Sequence, residues 1–382
     1  MQAQELENLQ KKNIVNTGRP IFIPEGLHAG REIFSKIAGA LGLNLQEYPL
    51  SIVKNLSDPS HSEELIHLFS MEPVLFVSPT NLKIKGNLIE LARDKVFAFA
   101  SVSTGTDHVD LEALERAGIH FIHAPGANSR SVVEYILAAL PLIHDEERLL
   151  RGHLSLGIVG FGRIGSQLAK CLDELGFSYS FYDPFVEGRG KGTLKDVLAS
   201  DVVTFHVPLT VNGDHPTKGM VDIEYVSGIP EGSLIINTSR GQIFSEESYL
   251  HACRRCRTIM DVFPIEPPTK KMIDAADLVS PHIAGYNYSA RAGGTALVAK
   301  NFMKLICENN HDVQYSPGKY NIYTIDFLKN ESDELKKNPD SFRNRRENYP
   351  DRGDYFDTKR FNSEKEYSGF LKKILDLCTK SS

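Results

Sequence analysis

Three side chains that together suit acid–base chemistry follow predicted strands in the second half of the chain. Arg240 follows one apolar run, Glu266 follows the next, and His282 follows the one after that. In an open α/β sheet, ligands bind beyond the carboxyl ends of the strands, so we expect these groups at one edge. The three runs are Ser233–Asn237, Thr258–Val262 and Leu278–Ser280. A cation, a carboxylate and an imidazole at such an edge suit oxidation of an alcohol by hydride transfer.

Each of the three residues has a role in that chemistry. Removal of a hydride from a carbinol carbon requires the hydroxyl proton to leave, and His282 is the candidate base that takes it and returns it in reverse. Glu266 would fix the imidazole tautomer and stabilise the imidazolium. Arg240 would grip a substrate carboxylate and polarise the developing carbonyl. Each residue alone also suits an ordinary loop, so their joint occurrence favours catalysis.

A strand–turn–helix–strand pattern precedes these residues. The apolar run Leu156–Val159 leads into GFGRIG, an amphipathic helix follows, and a second apolar run ends at Asp183. Gly160 suits the tight turn, Gly162 lets the backbone approach a pyrophosphate, and Gly165 lets helix and strand pack closely. The helix N-terminus favours the anion. The pattern predicts a dinucleotide site at Gly160, Gly162, Arg163, Ile164 and Gly165.

The acid at the end of the second apolar run indicates which dinucleotide binds. Asp183 would accept hydrogen bonds from the adenosine ribose hydroxyls. Its charge would also repel a 2′-phosphate, because like charges disfavour one another at short range. NAD is therefore the predicted cofactor, in preference to NADP.

Composition limits the partners of this chain. The 382 residues are 41% hydrophobic and 24% charged, with net charge -6, so we expect a globular protein of two or three domains without a nucleic-acid partner. No apolar run approaches the roughly 20 residues of a membrane helix. The polar N-terminus and the five scattered cysteines predict a cytoplasmic location with reduced thiols. Cys253 and Cys256 form a lone CxxC, interpreted as two helix cysteines one turn apart, and no metal site is expected.

Alternation of strands and helices predicts an α/β fold with two doubly wound parallel-sheet, Rossmann-like domains and a small C-terminal α+β segment. After a polar tail at 1–20, the predicted domains are a substrate domain at 21–126 and 286–310, an NAD-binding domain at 127–285, and the C-terminal segment at 311–382. The last segment has few apolar residues, so we expect it to pack either on the rest of the chain or on a second copy.

Finer features complete this outline. Ser131 and Glu134 form a predicted capping box that opens a helix through His144. Asn321–Phe327 is a predicted strand, and 370–377 is a predicted final helix. The C-terminal segment also holds the arginines Arg343, Arg345, Arg346 and Arg352. Two interpretations of this cluster are open: a helix face that is solvated or paired with acids, and a site that reaches a substrate phosphate, in cis or across a dimer interface.

The motifs GIVGFGRIG, VTFHVPLT, NTSRG, DVFPIEP and PHIAG, in this order, resemble those of the D-2-hydroxyacid dehydrogenase family. The resemblance runs from about Ile21 to Ile306 and implies the same roles for Arg240, Glu266 and His282. It also implies cofactor contacts at Val207, Thr238, Ser239, Arg240, Asp261 and Gly285, with Asp261 near the nicotinamide amide.

Within the family, the chain is most similar to a subfamily that acts on a small phosphorylated 2-hydroxyacid and forms homodimers through its C-terminal domain. This resemblance implies substrate contacts at Ser78, Thr80, Ser103, Arg240 and Tyr286. The subfamily has an arginine–serine pair where this chain has Ser78 and Pro79. Pro79 offers neither a hydroxyl nor an N–H donor. This departure leaves open a dehydrogenase for another D-2-hydroxyacid. A separate alternative is a non-catalytic protein of this fold that senses NADH.

Overall fold

A computed structural model describes residues 14–53, 62–79, 82–143, 154–188, 190–306 and 325–347. These residues form two compact units. The first contains the described residues up to Ala127 together with the helix that begins at Tyr288, and the second contains Asn128–Asn287 with the described C-terminal residues.

The first unit is built on a five-stranded parallel sheet in the order β2-β1-β3-β4-β5. Its strands are β1 (Pro20–Pro24), β2 (Asn44–Tyr48), β3 (Leu75–Ser78), β4 (Ala98–Ser101) and β5 (His120–His123). Its helices are α1 (Gly30–Leu41), α2 (Glu63–Ser70), α3 (Asn87–Ala92), α4 (Leu111–Arg116) and α11 (Tyr288–Ile306). The sequence pattern did not predict β2 or α2. Strand β2 lies at the sheet edge with only Tyr48 buried, so it lacks the apolar run of an inner strand.

Successive strand residues in the first unit point to opposite faces of the sheet, and each face has its own core. Ile21 and Ile23 of β1 pack in one core with residues of α1 and α11. Phe22, between them, packs in the other core with Phe76 and Phe99. Inner strands buried on both faces are what a parallel sheet covered by helices requires.

The second unit is built on a six-stranded parallel sheet in the order β11-β10-β9-β8-β6-β7. Its strands are β6 (Ser155–Val159), β7 (Ser178–Tyr182), β8 (Val202–Phe205), β9 (Leu234–Asn237), β10 (Arg257–Met260) and β11 (Leu278–Val279). Its helices are α5 (Ser129–Ile143), α6 (Arg163–Leu175), α7 (Leu194–Leu198), α8 (Ile223–Gly228), α9 (Glu246–Arg255), α10 (Lys270–Ala275), α12 (Ile325–Lys337) and α13 (Phe342–Glu347). The predicted α/β class with two parallel sheets is confirmed.

The predicted capping box at the start of α5 is wrong. The helix begins two residues earlier, at Ser129. The Ser131 hydroxyl donates to the carbonyl of Ala284 (2.9 Å), and Glu134 is paired with Arg130 (2.8 Å), one turn before it. Ser131 is therefore bonded to a distant loop and Glu134 to a residue of the same helix, so neither caps the helix N-terminus. His144, where the helix was expected to end, lies outside the described residues.

The described part of the C-terminal segment packs on the second unit. The predicted strand at 321–327 is wrong at residues 325–327, because these residues begin the helix α12. The Ser332 hydroxyl accepts the Val279 N–H (3.0 Å), and the Lys336 ammonium donates to the Asp277 carbonyl (2.9 Å). Leu335 and Phe342 are buried in the core of this unit. The predicted final helix at 370–377 lies outside the described residues.

None of the helices that the structure describes is long and apolar enough to cross a membrane.

Candidate active site

The glycine turn after β6 has the geometry that the motif predicts. Gly160 has φ +93, and a Cβ there would lie 2.8 Å from the backbone of His206, so this position requires glycine. A Cβ on Gly165 would overlap the Gly160 carbonyl oxygen. At Gly162 a Cβ would meet no atom within 4 Å. The protein itself does not require glycine at 162, which fits a position where a ligand approaches the backbone.

Helix α6 begins at this turn with its N-terminus uncapped. Gly162 is the N-cap residue and supplies no side-chain acceptor to the first-turn N–H groups. Arg163 is exposed and Ile164 is half-buried against the core. Free N–H groups and the helix dipole make this end a site for an anion such as a pyrophosphate. The residues present therefore fit a dinucleotide.

Asp183 lies directly after β7 and is tied to the glycine turn. One carboxylate oxygen accepts the N–H of Phe161 (2.8 Å), and the other accepts the N–H of Phe185 (2.9 Å). The ring of Phe161 also stacks on Phe181 with centroids 3.7 Å apart. Each carboxylate oxygen can accept a second hydrogen bond, so a ribose diol can still be bound.

We expect Asp183→Asn to weaken the preference for NAD. Asparagine keeps one oxygen acceptor but removes the charge that repels a 2′-phosphate, so the ratio of the NADPH Kd to the NADH Kd should fall by about tenfold or more. Titration of both cofactors by fluorescence gives this ratio. The control Asp173→Ser removes an exposed carboxylate from α6 and should leave the ratio unchanged. An unchanged ratio in Asp183→Asn would assign the ribose contact to another group.

The loops after β8 and β9 carry the next predicted cofactor residues. Val207 is half-buried, and its side chain lies 2.9 Å from the position of a Cβ on Gly160. The buried amide of Asn237 organises the β9 loop: its oxygen accepts from the Ser239 N–H and hydroxyl, and its nitrogen donates to the Arg240 carbonyl. The buried Thr238 hydroxyl has no hydrogen-bond partner among the described residues. A bound ligand would satisfy such a group.

Asp261 holds the loop that carries His282. Its carboxylate accepts from the Ser280 hydroxyl (2.6 Å), the Ile283 N–H (2.7 Å) and the Ala284 N–H (3.0 Å). Burial raises its pKa above the ordinary value, against the opposing effects of the His282 charge and these donors. A contact to the nicotinamide amide stays a prediction. The role visible in the structure is to fix the residues on both sides of the candidate base.

His282 and Glu266 form a hydrogen-bonded pair. The distance between His282 Nδ1 and Glu266 Oε2 is 3.1 Å, and both side chains are partly exposed, at 26% and 20%. The other oxygen of Glu266 accepts the Phe263 N–H (3.3 Å). Burial alone would raise the pKa of Glu266, but the hydrogen bond and charge of His282, the charge of Arg346 and the Phe263 N–H together lower it. Glu266 is therefore a carboxylate, and the hydrogen bond to it involves Nδ1 of His282 and not Nε2.

The loop that carries Arg240 packs against the loop that carries Glu266. Its loop continues into Gly241, where a Cβ would overlap the backbone of Phe263. Phe263 in turn donates to Glu266. The Arg240 guanidinium is half-buried and donates to the Ser239 carbonyl (2.9 Å). Because β9, β10 and β11 are neighbours, the loops of Arg240, Glu266 and His282 lie at one edge of the sheet.

The C-terminal arginines are paired with acids where the structure describes them. Arg345 pairs with Glu331 (3.0 Å), and Arg346 pairs with Glu266 (3.2 Å). Arg343 is exposed, and Arg352 lies outside the described residues. The acid-paired interpretation is thus confirmed for two of the four. Sequence reasoning singled out Arg346 but missed its contact with Glu266, because their separation of 80 residues leaves no signal in spacing.

The predicted substrate residues fall in both units. In the first unit, Ser78 is buried and its hydroxyl donates to the Ala100 carbonyl (3.0 Å), while the Ser103 hydroxyl donates to the Gly105 carbonyl (2.7 Å). In the second unit, Tyr286 is half-buried and its N–H donates to the Ile283 carbonyl (2.8 Å). Thr80 lies outside the described residues. Substrate contacts at all four positions stay predictions.

Gly285, His206 and the two cysteines of the CxxC are packed or buried in the folded chain. A Cβ on Gly285 would lie 2.5 Å from the Asn128 amide nitrogen, so the loop packs closely there. His206 is neutral, since burial lowers its pKa to about 3. Burial also raises the pKa of Cys253 and Cys256 to about 11, so both thiols are protonated. Neither cysteine is suited to redox chemistry in this form.

The second unit has the fold and the loop groups of a nicotinamide-dependent dehydrogenase domain, and comparison with known proteins agrees. Residues 146–284 match the family "D-isomer specific 2-hydroxyacid dehydrogenase, NAD binding domain". The D-lactate dehydrogenase of Aquifex aeolicus, solved with NAD and lactic acid, is similar in fold with a TM-score of 0.60 at 21% identity. That match covers 78% of this chain and 100% of that one.

Relatives of known name are more similar to this chain in sequence. It is 40% identical to the erythronate-4-phosphate dehydrogenase of Salinibacter ruber, over 52% of this chain and 54% of that protein. It is 32% identical to the erythronate-4-phosphate dehydrogenase of Legionella pneumophila, over 64% of this chain and 70% of that protein. The chain thus spans little more than half the length of the Salinibacter relative. It belongs to the D-isomer specific 2-hydroxyacid dehydrogenase family.

Proposed function

We propose that this protein oxidises 4-phospho-D-erythronate to 2-oxo-3-hydroxy-4-phosphobutanoate with NAD, a step in the synthesis of the vitamin B6 cofactor pyridoxal 5′-phosphate. The observation that carries the proposal is the His282–Glu266 pair, which lies at the same sheet edge as Arg240. The likeness to relatives named for this substrate supports the choice of hydroxyacid.

The proposed roles follow from the geometry. His282 Nε2 takes the proton of the substrate hydroxyl, while its Nδ1 stays on Glu266. Glu266, ionised and held by the Phe263 N–H, stabilises the imidazolium that forms. Arg240 binds the substrate carboxylate and polarises the developing carbonyl. NAD, when bound at the glycine turn, accepts the hydride. Asp261 keeps the His282 loop in place through its three hydrogen bonds.

A second candidate is a dehydrogenase for a different D-2-hydroxyacid. The observation that favours it is the pair Ser78–Pro79. The buried Ser78 hydroxyl already donates its hydrogen bond to the Ala100 carbonyl, and Pro79 has no donor to offer a substrate. In that case the end of the substrate remote from the carboxylate would differ from erythronate phosphate, while Arg240, Glu266 and His282 would keep their roles.

Steady-state kinetics with purified protein separate the two candidates. We expect kcat/KM for 4-phosphoerythronate to exceed that for 3-phosphoglycerate and D-lactate by about 100-fold or more, since a site built for polar groups rejects analogues that lack them. Arg240→Gln should abolish most of this activity, whereas Arg254→Gln, an exposed cation on α9, should not. A preference for another acid supports the second candidate. Tight NADH binding without turnover of any acid would indicate an NADH sensor.

Three further predictions belong to this proposal. The substrate domain at 21–126 and 286–310, the NAD-binding domain at 127–285 and the C-terminal segment at 311–382 are proposed as functional divisions of the chain. We propose that the C-terminal segment forms a homodimer. We also propose a cytoplasmic location. Sedimentation of the purified protein tests the dimer.

A further inference from the structure

A short helix of the C-terminal segment packs directly on the loop that carries Glu266. The first residue of α13, Phe342, is buried, and its ring meets the ring of Phe263 edge-on with centroids 5.7 Å apart. Phe263 is also the residue whose N–H donates to Glu266. The helix therefore rests on the backbone that fixes the catalytic carboxylate.

One turn along this helix, Arg346 shares a single carboxylate oxygen with the candidate base. Its Nη1 lies 3.2 Å from Glu266 Oε2, and His282 Nδ1 lies 3.1 Å from the same oxygen. Arg346 is 32% exposed and Glu266 20% exposed, so water screens the pair only in part. The guanidinium is always charged, whereas the imidazole titrates.

The neighbouring residues hold Arg346 in this position. Arg345 pairs with Glu331 (3.0 Å) and Glu334 (3.5 Å) of α12. Helix α12 is in turn bonded to β11 through Ser332 and Lys336. The guanidinium of Arg346 is therefore presented by a folded element and not by a free tail.

The fixed guanidinium of Arg346 lies beside the shared oxygen of Glu266. It therefore weakens the stabilisation that this oxygen can give to a second cation, the protonated imidazole of His282. Glu266 can compensate the charge of Arg346 or that of protonated His282, but not both fully. The charged form of His282 is disfavoured relative to a pair without the arginine. Two acids act on His282 with the opposite sign, Glu266 itself and the buried Asp261. The cation of Arg240, on the loop packed against that of Glu266, acts with the same sign as Arg346.

We propose that Arg346 is a positioning residue that acts through Glu266 to favour neutral His282, the form that accepts a proton from a hydroxyacid. This inference rests on the proposed function, because it concerns the same His282–Glu266 pair.

The direct test is the NMR titration of His282 in protein without substrate. The chain has 13 histidines, and loss of one signal in His282→Asn assigns the resonance. We expect Arg346→Gln to raise the titration midpoint of His282 by about one pH unit, because the competing cation is gone. Glu266→Gln should move the midpoint the opposite way, since the stabilising carboxylate is lost.

Two control variants separate charge from structure. Arg346→Lys keeps the positive charge, so the titration midpoint of His282 should stay within a few tenths of a pH unit of that in the unsubstituted protein. Arg343→Gln removes the same charge from an exposed position on the same helix and should leave the midpoint unchanged. If Arg346→Gln does not fold, Arg346→Met gives the same measurement.

Kinetics provide the second readout. The acid limb of kcat/KM for hydroxyacid oxidation should move to higher pH in Arg346→Gln by the same amount as the NMR midpoint, since oxidation needs neutral His282. An unmoved midpoint in both Arg346→Gln and Arg346→Met would overturn the inference, whatever the activity. A moved midpoint in a protein that turns over no hydroxyacid would uphold the coupling and reject the proposed function instead.

Discussion

His282→Asn should lower kcat/KM for hydroxyacid oxidation by about 10³-fold while leaving the Kd for NADH within about twofold, because general acid–base catalysis contributes about 10²- to 10⁴-fold. The imidazole would be the group that takes the hydroxyl proton, and asparagine cannot accept it at neutral pH. NADH affinity should survive, since the glycine turn and Asp183 lie at other strands of the sheet. Steady-state kinetics and NADH fluorescence titration measure the two quantities.

Asparagine is the replacement that disturbs the loop least. His282 has φ 59, in the left-handed region, and asparagine adopts this conformation more readily than most other residues. Alanine would combine loss of the imidazole with backbone strain. Asparagine also keeps the hydrogen bond from the backbone N–H of residue 282 to the Ser280 carbonyl (3.0 Å). The three hydrogen bonds of Asp261 do not involve the side chain at 282 and are kept as well.

His67→Asn is the matched control for this experiment. His67 is an exposed histidine on α2, and its loss should change neither activity nor NADH binding. Retained turnover in His282→Asn would assign the base to another residue. Loss of NADH binding together with turnover would mean that the variant had altered the cofactor site, and the base assignment would then rest on the pH–rate profiles of the Glu266 and Arg346 variants.

Gly241→Ala should destabilise the second unit by about 2–3 kcal/mol and should also impair catalysis. A Cβ at this position would overlap the backbone of Phe263, which cannot rotate away as a side chain can. The loops of Arg240 and Glu266 must therefore separate. We expect the melting temperature to fall by roughly 4–12 °C, and the KM for the hydroxyacid to rise because Arg240 moves relative to the His282–Glu266 pair.

Gly228→Ala is the matched control for Gly241→Ala. Gly228 is the last residue of α8 in the same unit, and a Cβ there would meet no atom within 4 Å. Since alanine is favoured over glycine in helices, its melting temperature should be unchanged or slightly higher. Equal melting temperatures for the two variants, measured by circular dichroism, would mean that the Arg240 and Glu266 loops are not closely packed.

The local pattern of residues was enough to predict the inner strands and the chemistry-bearing loops. Inner parallel strands are buried on both faces, so they appear as short apolar runs, as at Leu156–Val159 and Ser233–Asn237. The carboxyl ends of such strands share an edge, so the residues after them can be predicted to meet. Arg240, Glu266 and His282 follow three neighbouring strands for this reason.

Elements whose stability comes from distant contacts left no such pattern. The edge strand β2 has only Tyr48 buried, and its backbone is held by pairing with β1. Helix α5 begins at Ser129, not at a capping box, because the Ser131 hydroxyl is used by the Ala284 carbonyl, 153 residues away. Propensity describes the chain near a residue, whereas these choices depend on partners that only the folded chain supplies.

The same division holds at the candidate active site. The sequence alone determined the α/β class and the glycine turn followed by Asp183, since these are local patterns. It also predicted Arg240, Glu266 and His282 as candidates for hydride-transfer chemistry, because all three follow apolar strand patterns. Only the tertiary structure decided that Asp261 holds the His282 loop by hydrogen bonds and that Gly241 packs on Phe263. It alone also decided that Arg346 pairs with the carboxylate of Glu266, which His282 contacts as well. Those contacts join residues remote in the chain through directional bonds and close packing, and spacing along a sequence carries no information about either.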